Sequence, residues 1–560
     1  METICLASAA IFQWKPDQER WCAAAASVAQ ALAQAPNSAS EFSKRDAMTT
    51  PHDMTPVLIG VGQAAERPSD VGYRARSPLA LAVEASRQAV LNCGATGDVA
   101  AAIDTIAAIR QFEISTPMAK PPFGASNNFP RSVGLGLGAK PRRAILEITG
   151  GQGPQRLVGE FCAAIAAGEA QVVLLTGSEA MSTVLHLQSK QETPDWSETV
   201  EGDLEDRGYG LEGMFTPTLG RHRIRGAIPA YALFENARRG KLGLSREAYA
   251  QTMGELFAPF TEVAASNPYA AAPIAKTATE LVTVSERNRI VADPFARMLV
   301  ARDQVNQAAS VLLTSVGKAR ELGVPMDRWV FLHGQGDANE LTIMERPDIA
   351  TSPQAVAAAT LAMSLAGVTQ ADLTFFDIYS CFPIAVFNMI DGLGIAPGDP
   401  RGLTLTGGLP YFGGAGNNYS MHGIAEVVSA VRQAPGSFGF VSANGGMLSK
   451  SSVGIYSTLP TDWSKPDQRR GKIAETTIPG LEIETAQGSA TLETYTVMPH
   501  RDGDLVVAIG RLDGTGRRFA ANPADGDAET LAAAKTHDPI GRRISVQTDD
   551  QGLNRFAFID

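Results

Sequence analysis

AILEITGGQGPQRLVGEFCAAIAAGEAQVVLLTGS, residues 144–178, is the stretch from which the fold is read. Its first five residues form an apolar run of strand length. Thr149-Gly150-Gly151-Gln152-Gly153 is a turn, and Pro154 suits the first turn of a helix, where no N–H is needed. Leu157, Phe161 and Ile165 recur at four-residue spacing with Val158 and Cys162 beside them, which marks one buried helix face. Gly168 supplies a C-terminal stop, and residues 171–176 read as a second buried strand. A strand–turn–helix–strand unit implies a parallel sheet with a right-handed crossover. Chemistry is expected at the turn, because backbone N–H groups there are unpaired and the helix dipole is positive.

Outward from this stretch, 560 residues leave room for two or more domains. A content of 44% hydrophobic and 19% charged residues is ordinary for a globular chain. The net charge of -11 argues against nucleic acid as a partner. Five cysteines (Cys5, Cys22, Cys93, Cys162, Cys381) form no C-x-x-C pair. That fits a reducing, cytoplasmic setting with no structural zinc or other metal. No apolar run reaches the roughly 18 residues of a membrane span.

Residues 1–56 read as a poorly ordered extension that the fold does not need, with a loose alanine-rich helix over 19–34. A strand at 57–61, a helix at 78–92 and a strand region at 103–109 lead into the opening stretch. Together they make half of a layered α/β fold. Residues 183–293 carry mixed charge, few strand signals and helical patterns at 230–239 and 246–257. Strand patterns resume at 303–315 and 329–333, and a helix follows at 353–365. Residues 373–394 then repeat the punctuation of the opening stretch: LTFFDI, the turn Tyr379-Ser380-Cys381-Phe382, and a helix opened by Pro383 and closed by Gly394. This recurrence predicts a duplication into halves 57–302 and 303–460, with the two turns near one another.

A polar linker at 461–472 precedes residues 473–560. Short strands at 490–497, 505–512, 519–521 and 543–547, with turn signals at Asp502-Gly503 and Asp513-Gly514, predict a small five- or six-stranded barrel. From residue 490 onward, eleven acids stand against eight bases, and Tyr495 and Phe519 are the only aromatics before Phe556. Such a surface does not make a basic, stacking groove for nucleic acid.

Four glycine loops in order carry a family resemblance. They are Gly150-Gly151-Gln152-Gly153, Thr176-Gly177-Ser178-Glu179, residues 407–416 (GGLPYFGGAG) and residues 441–447 (VSANGGM). The set resembles the thiolase superfamily's Cys-Gly-Ser-Gly turn, Gly-Gly-Met-Glu strand end, Gly-His-Pro loop and Cys-x-Gly-Gly-Gly loop, over roughly residues 57–460. The terminal barrel is similar to the extra OB-like domain of type 1 thiolase-like proteins. The resemblance implies an α/β protein with a duplicated five-layer αβαβα thiolase fold, a helical loop-domain insertion at about 183–293 and a small C-terminal β-barrel. It also implies coenzyme A thioester as substrate or ligand, acyl-CoA as the small-molecule partner, and an acetyl-CoA acetyltransferase type of activity. Homodimer and monomer both stay open.

Carried over position by position, the family's nucleophilic cysteine falls on Gly150 and its loop histidine on Gly414. The second cysteine falls near Ser442, the glycine two positions on falls on Asn444, and the residue opening the second central turn is Tyr379. Covalent acyl transfer through Gly150 is excluded, because glycine offers no nucleophile. Tyr379-Ser380-Cys381-Phe382 resembles the His-Asp-Cys-Phe turn of sterol-carrier-type thiolases. Cys381 is therefore either a reactive thiol with its pKa lowered at a helix end or a small residue packed behind the turn.

His422 either replaces the lost histidine or is structural, and His333 at a strand end has the same two readings. Tyr411, Tyr419, Asn418, Ser442 and Asn444 are pocket candidates, and paired tyrosines can serve as acid and base in retro-aldol cleavage. Backbone N–H groups of Gly150, Gly151, Gly445 and Gly446 are candidates for an oxyanion hole. Arg221, Arg223 and Arg225 either meet the phosphates of coenzyme A or form a solvated face. Three functions remain open: a carbon–carbon bond enzyme led by Cys381, Tyr379 and His422, a retro-aldolase acting on 3-hydroxyacyl-CoA, and a non-catalytic acyl-CoA binding protein.

Overall fold

A computed structural model of the protein describes residues 51–560, apart from Gly213, Phe215, 477–479, Asp502 and Asp560. The expected extension over 1–50, its helix at 19–34 and the turn at Asp502 lie outside those residues. Residues 51–56 are tied down rather than loose. Thr55 is buried and its carbonyl accepts from Val316 N at 2.8 Å, and Pro56 opens the first strand.

The first sheet takes its strands in the order Pro56–Ala65, Asn306–Ser315, Val172–Ala180, Thr105–Ala108, Arg143–Leu146 and Glu205–Asp206. Asn306–Ser315 runs antiparallel to both neighbours, and the strands beyond it are mutually parallel. The second sheet runs Leu373–Asp377, Phe438–Gly445, Lys450–Ser457, Phe331–Asn339 and Arg470–Lys472. Here Lys450–Ser457 is antiparallel to both neighbours, and Phe438–Gly445 is parallel to Leu373–Asp377. Four strands of each sheet therefore share one order and one pattern of directions, while the edge strands differ, and this is the duplication that the sequence predicts.

The repeat is displaced by one βα unit from the expected pairing. The helix entering the strand beside the antiparallel one is Gly153–Ala166 in the first half and Tyr419–Gln433 in the second. These two helices lie between the sheets, where Leu157, Phe161 and Ile165 pack with Val427, Val431, Leu313 and Val441. The counterpart of the Gly150 turn is thus the loop before Tyr419, whereas Pro383–Leu393 corresponds to Phe129–Leu137. Punctuation misleads here because Pro78–Asn92, Phe129–Leu137, Gly153–Ala166, Pro353–Ala366 and Pro383–Leu393 all carry a proline in their first turn. Pro78–Asn92 covers the outer face of the first sheet and Pro353–Ala366 that of the second, which completes five layers.

Two helices, Ala227–Lys241 and Arg246–Ser266, dominate the insertion between the halves. The C-terminal strands close a five-stranded barrel, Gly488–Met498, Leu505–Leu512, Arg518–Pro523, Asn554–Phe558 and Arg543–Thr548. A helix over Ala528–Thr536, N-capped by Asp527, adds to the barrel an element that the strand reading lacks. Residues 461–472 are not a free linker: Trp463 is buried with its indole donating to Leu332 O at 2.9 Å, and Arg470–Lys472 joins the second sheet. Among the described residues no helix is long and apolar enough to cross a membrane.

Candidate active site

Gly150 sits at φ +141°, a conformation open to glycine and strained for any other residue. A Cβ at Gly150 would land on Gln152 Oε1, and so would a Cβ at Gly445. The Gln152 carboxamide thus fills the space into which a side chain from Gly150 would project. Gln152 is buried, and its Oε1 has no hydrogen-bond partner. The Gly150 N–H donates to Asn417 Oδ1 at 3.0 Å, while Asn417 Nδ2 donates to Arg110 O at 2.7 Å and Ser115 Oγ at 3.0 Å. That N–H is consumed internally and is not available as an oxyanion donor. Ser420 Oγ donates to Gly151 O at 2.6 Å, so both anchors of the first turn come from the second half of the chain.

Tyr379 reaches the other side of the same turn. A Cβ at Gly151 would collide with its hydroxyl and would lie 2.6 Å from Asn444 O. Glycine is required at 151 for this close approach. Tyr379 N donates to Ser442 Oγ at 3.0 Å, and the ring packs edge-on against Tyr419 at 5.3 Å. Asn444 Nδ2 donates to Tyr231 Oη at 2.8 Å and faces Cys381 Sγ at 3.8 Å. Tyr231 Oη also donates to Gly446 O and accepts from Leu448 N, both at 3.3 Å. Its ring stacks on Phe382 at 4.2 Å with the planes 21° apart. Tyr379, Cys381, Asn444, Ser442 and Gly446 are therefore brought together, with Tyr231 as a member that the sequence did not point out.

Every acid in this cluster is held in its neutral form. Burial pushes the Cys381 thiol up to about 12, against smaller opposing hydrogen bonds from Tyr231 and Asn444. Of the two readings of Cys381, its surroundings favour the packed one: it lies one residue before the N-cap, Phe382, and is buried. Burial likewise raises Tyr379, Tyr231, Tyr411 and Tyr419 well above the usual phenol value. These phenols are donors at neutral pH. Tyr379, Ser442, Asn444 and Asn388 help line a cavity of about 20 Å³. That is room for a water molecule, far below the roughly 300–1,000 Å³ of a small-molecule site.

Other candidates are engaged by different partners. His422 Nδ1 pairs with Gln63 Oε1 at 2.7 Å, its ring packs on Phe412 at 5.0 Å, and burial lowers its pKa to about 3. His333 Nε2 pairs with Leu459 O at 2.8 Å, and burial lowers its pKa to about 4. Tyr419 Oη shares a 2.6 Å hydrogen bond with Thr406 Oγ1, which donates in turn to Asp377 Oδ1 at 2.9 Å. Asn418 Nδ2 donates to Gly177 O at 2.8 Å, a structural role, and Tyr411 Oη is buried without a partner. Arg221, Arg223 and Arg225 are exposed around the buried His222. Their segment docks on the barrel, since Arg221 pairs with Glu484 at 3.3 Å and Asn554 N donates to His222 Nε2 at 3.1 Å.

Two α/β halves of matching strand order, with glycine loops meeting between them, define a thiolase-fold protein. Residues 471–551 match the family described as the thiolase-like protein type 1 additional C-terminal domain. The crystal structure of a monomeric SCP2-thiolase like protein type 1 from Mycobacterium smegmatis is 43% identical with a TM-score of 0.75, covering 91% of this chain and 100% of that one. The chain belongs to the type 1 thiolase-like protein family. More distant structures share the fold. The Ltp2-ChsH2(DUF35) aldolase is 18% identical with a TM-score of 0.52, covering 72% of this chain and 98% of that one. Human mitochondrial 3-ketoacyl-CoA thiolase is 16% identical with a TM-score of 0.51, covering 72% and 99%. No curated protein matches the chain.

Proposed function

We propose that the protein handles an acyl-CoA thioester at the Tyr379–Asn444 face without forming an acyl-enzyme. The observation that carries this reading is the plug at Gly150: the place of a nucleophile is taken by the Gln152 carboxamide. Beside it stand the neutral Tyr379 hydroxyl and the Asn444 amide, whereas the Tyr231 hydroxyl is spent on Gly446 O, and the described cluster holds no imidazole or thiolate. Donors of this kind hold a thioester oxygen or a 3-hydroxyl and stabilise charge that develops on it. The reaction that such groups best serve is retro-aldol cleavage of a 3-hydroxyacyl thioester: the C2–C3 bond breaks, Tyr379 gives its proton to the departing enolate carbon, and the 3-hydroxyl proton passes to the Tyr379 oxygen, which restores the phenol.

The cavity of about 20 Å³ favours a second reading, a protein that binds acyl-CoA without turnover and opens only around its ligand. Mass spectrometry of the full chain with 3-oxoacyl- and 3-hydroxyacyl-CoA panels, with and without free CoA, separates the readings. Release of an aldehyde or ketone without free CoA, abolished by Tyr379→Phe, supports the retro-aldol reading. Saturable binding with no product supports the binding protein. A shortened acyl-CoA that appears only with free CoA overturns both.

A further inference from the structure

One face of the helix Ala227–Lys241 grips the turn that carries Cys381. Tyr231 and Glu235 are one helical turn apart and so share that face. Tyr231 stacks on Phe382 and joins Asn444, while Glu235 Oε2 accepts from Ile384 N at 2.8 Å. Ile384 lies in the first turn of Pro383–Leu393, where N–H groups lack helical partners, so a carboxylate from another element caps this helix. Glu235 is wholly buried, and its Oε1 accepts from Tyr249 Oη at 2.5 Å.

The barrel holds the same helix. Thr494 Oγ1 donates to Leu233 O at 2.6 Å, and Asn236 Nδ2 donates to Tyr495 O at 3.0 Å. The buried Arg239 pairs with Asp538 at 2.6 Å.

We infer that Glu235 is a positioning residue, which sets the place of Cys381 by capping the helix after it, and that the C-terminal barrel holds the helix bearing Glu235. The inference rests on reading the Tyr379–Asn444 cluster as the site. It gives the barrel a part in that site without any contact to substrate. Burial raises the Glu235 carboxyl to about 7. The groups facing it are Tyr249 on the neighbouring helix, Arg238 on its own helix, and Asp391, which pairs with Arg238 from Pro383–Leu393. The cap is therefore a full carboxylate above that pH and a weaker acceptor below it.

The test is the rate of iodoacetamide modification at the peptide carrying Cys381, followed by mass spectrometry on the full chain, with the Cys162 peptide as an internal control. Glu235→Gln is expected to speed modification of Cys381 about tenfold above pH 8 relative to wild type, and the ratio should fall toward one as the pH drops below about 7. Thr494→Val removes one barrel contact and should raise the rate two- to threefold. An unchanged Cys381 rate in Glu235→Gln overturns the inference, and so does an equal rise at Cys162, which reports general loosening. An unchanged rate in Thr494→Val overturns the part given to the barrel. Because modification needs no turnover, these outcomes stand apart from whether any acyl-CoA is processed.

Discussion

The Gly150 turn and the Tyr379–Phe382 turn both end a parallel strand and open a helix, yet they have kept different things. The first has glycine at its centre, is filled by Gln152 and is pinned by Asn417 and Ser420. The second holds a thiol and a phenol, is faced by Asn444 from the strand Phe438–Gly445 and is gripped from outside by an inserted helix. A turn pinned by partners from the second half leaves its centre to the Gln152 carboxamide. A turn fixed by an insertion leaves room for polar groups to face one another. Packing, rather than the turn itself, decides where chemistry survives.

Asn417→Ala should break this comparison most severely. It leaves the Gly150 N–H and Arg110 O unpaired in the interior, at roughly 1–3 kcal/mol for each buried group left unsatisfied, while Ser115 Oγ keeps its bond to Gln111 O. We expect a loss of about 2–6 kcal/mol in urea unfolding, with Cys381 modification little changed. The next effect is electrostatic. A carboxyl raised in the folded state from 4.5 to about 7 gives stability that is complete below pH 4.5 and lost as the pH rises to about 7. Relative to wild type, Glu235→Gln should therefore gain stability across that window, by up to roughly 3 kcal/mol, and stay level above it. Unfolding midpoints at pH 4.5, 6 and 8 check the sign.

Gly150→Cys probes the first turn directly. At φ +141°, against Gln152, it should cost about 1–3 kcal/mol and yield no acetyl adduct with acetyl-CoA in intact mass spectra. An adduct formed by this single variant would show that the plug gives way. The smallest expected effect is Tyr231→Phe. It removes a phenol bonded to Asn444, Gly446 and Leu448 and should cost about 1 kcal/mol while quickening Cys381 modification several-fold.

Local signals were legible where caps and glycines fix the chain. Pro78–Asn92 and Pro383–Leu393 fall where their prolines and terminal signals place them, and the glycine loops carried the resemblance to the thiolase fold. The pairing of the repeats was misread, because proline-opened helices recur throughout and only strand order tells which unit answers which. Of the candidate site, the residues of the two turns could be named from the sequence. Tyr231 and Glu235 could not, since their helix reads as ordinary amphipathic sequence and Glu235 meets Ile384 149 residues later. The state of Cys381 was also hidden. A helix-end motif suggests a thiolate, but the aromatic packing that buries the thiol arrives from the insertion.

The bond from Gly150 N to Asn417 spans 267 residues of chain. An emerging polypeptide makes its first half long before the side chain that secures this turn exists. Loop closure over such a length delays the contact and leaves the centre among the last regions to settle. An isolated first half would carry an unclamped glycine turn and an apolar helix face with nothing to cover it. For this chain, then, the paired sheets are partners in assembly as well as in ancestry, and the point where they meet is the last to be finished.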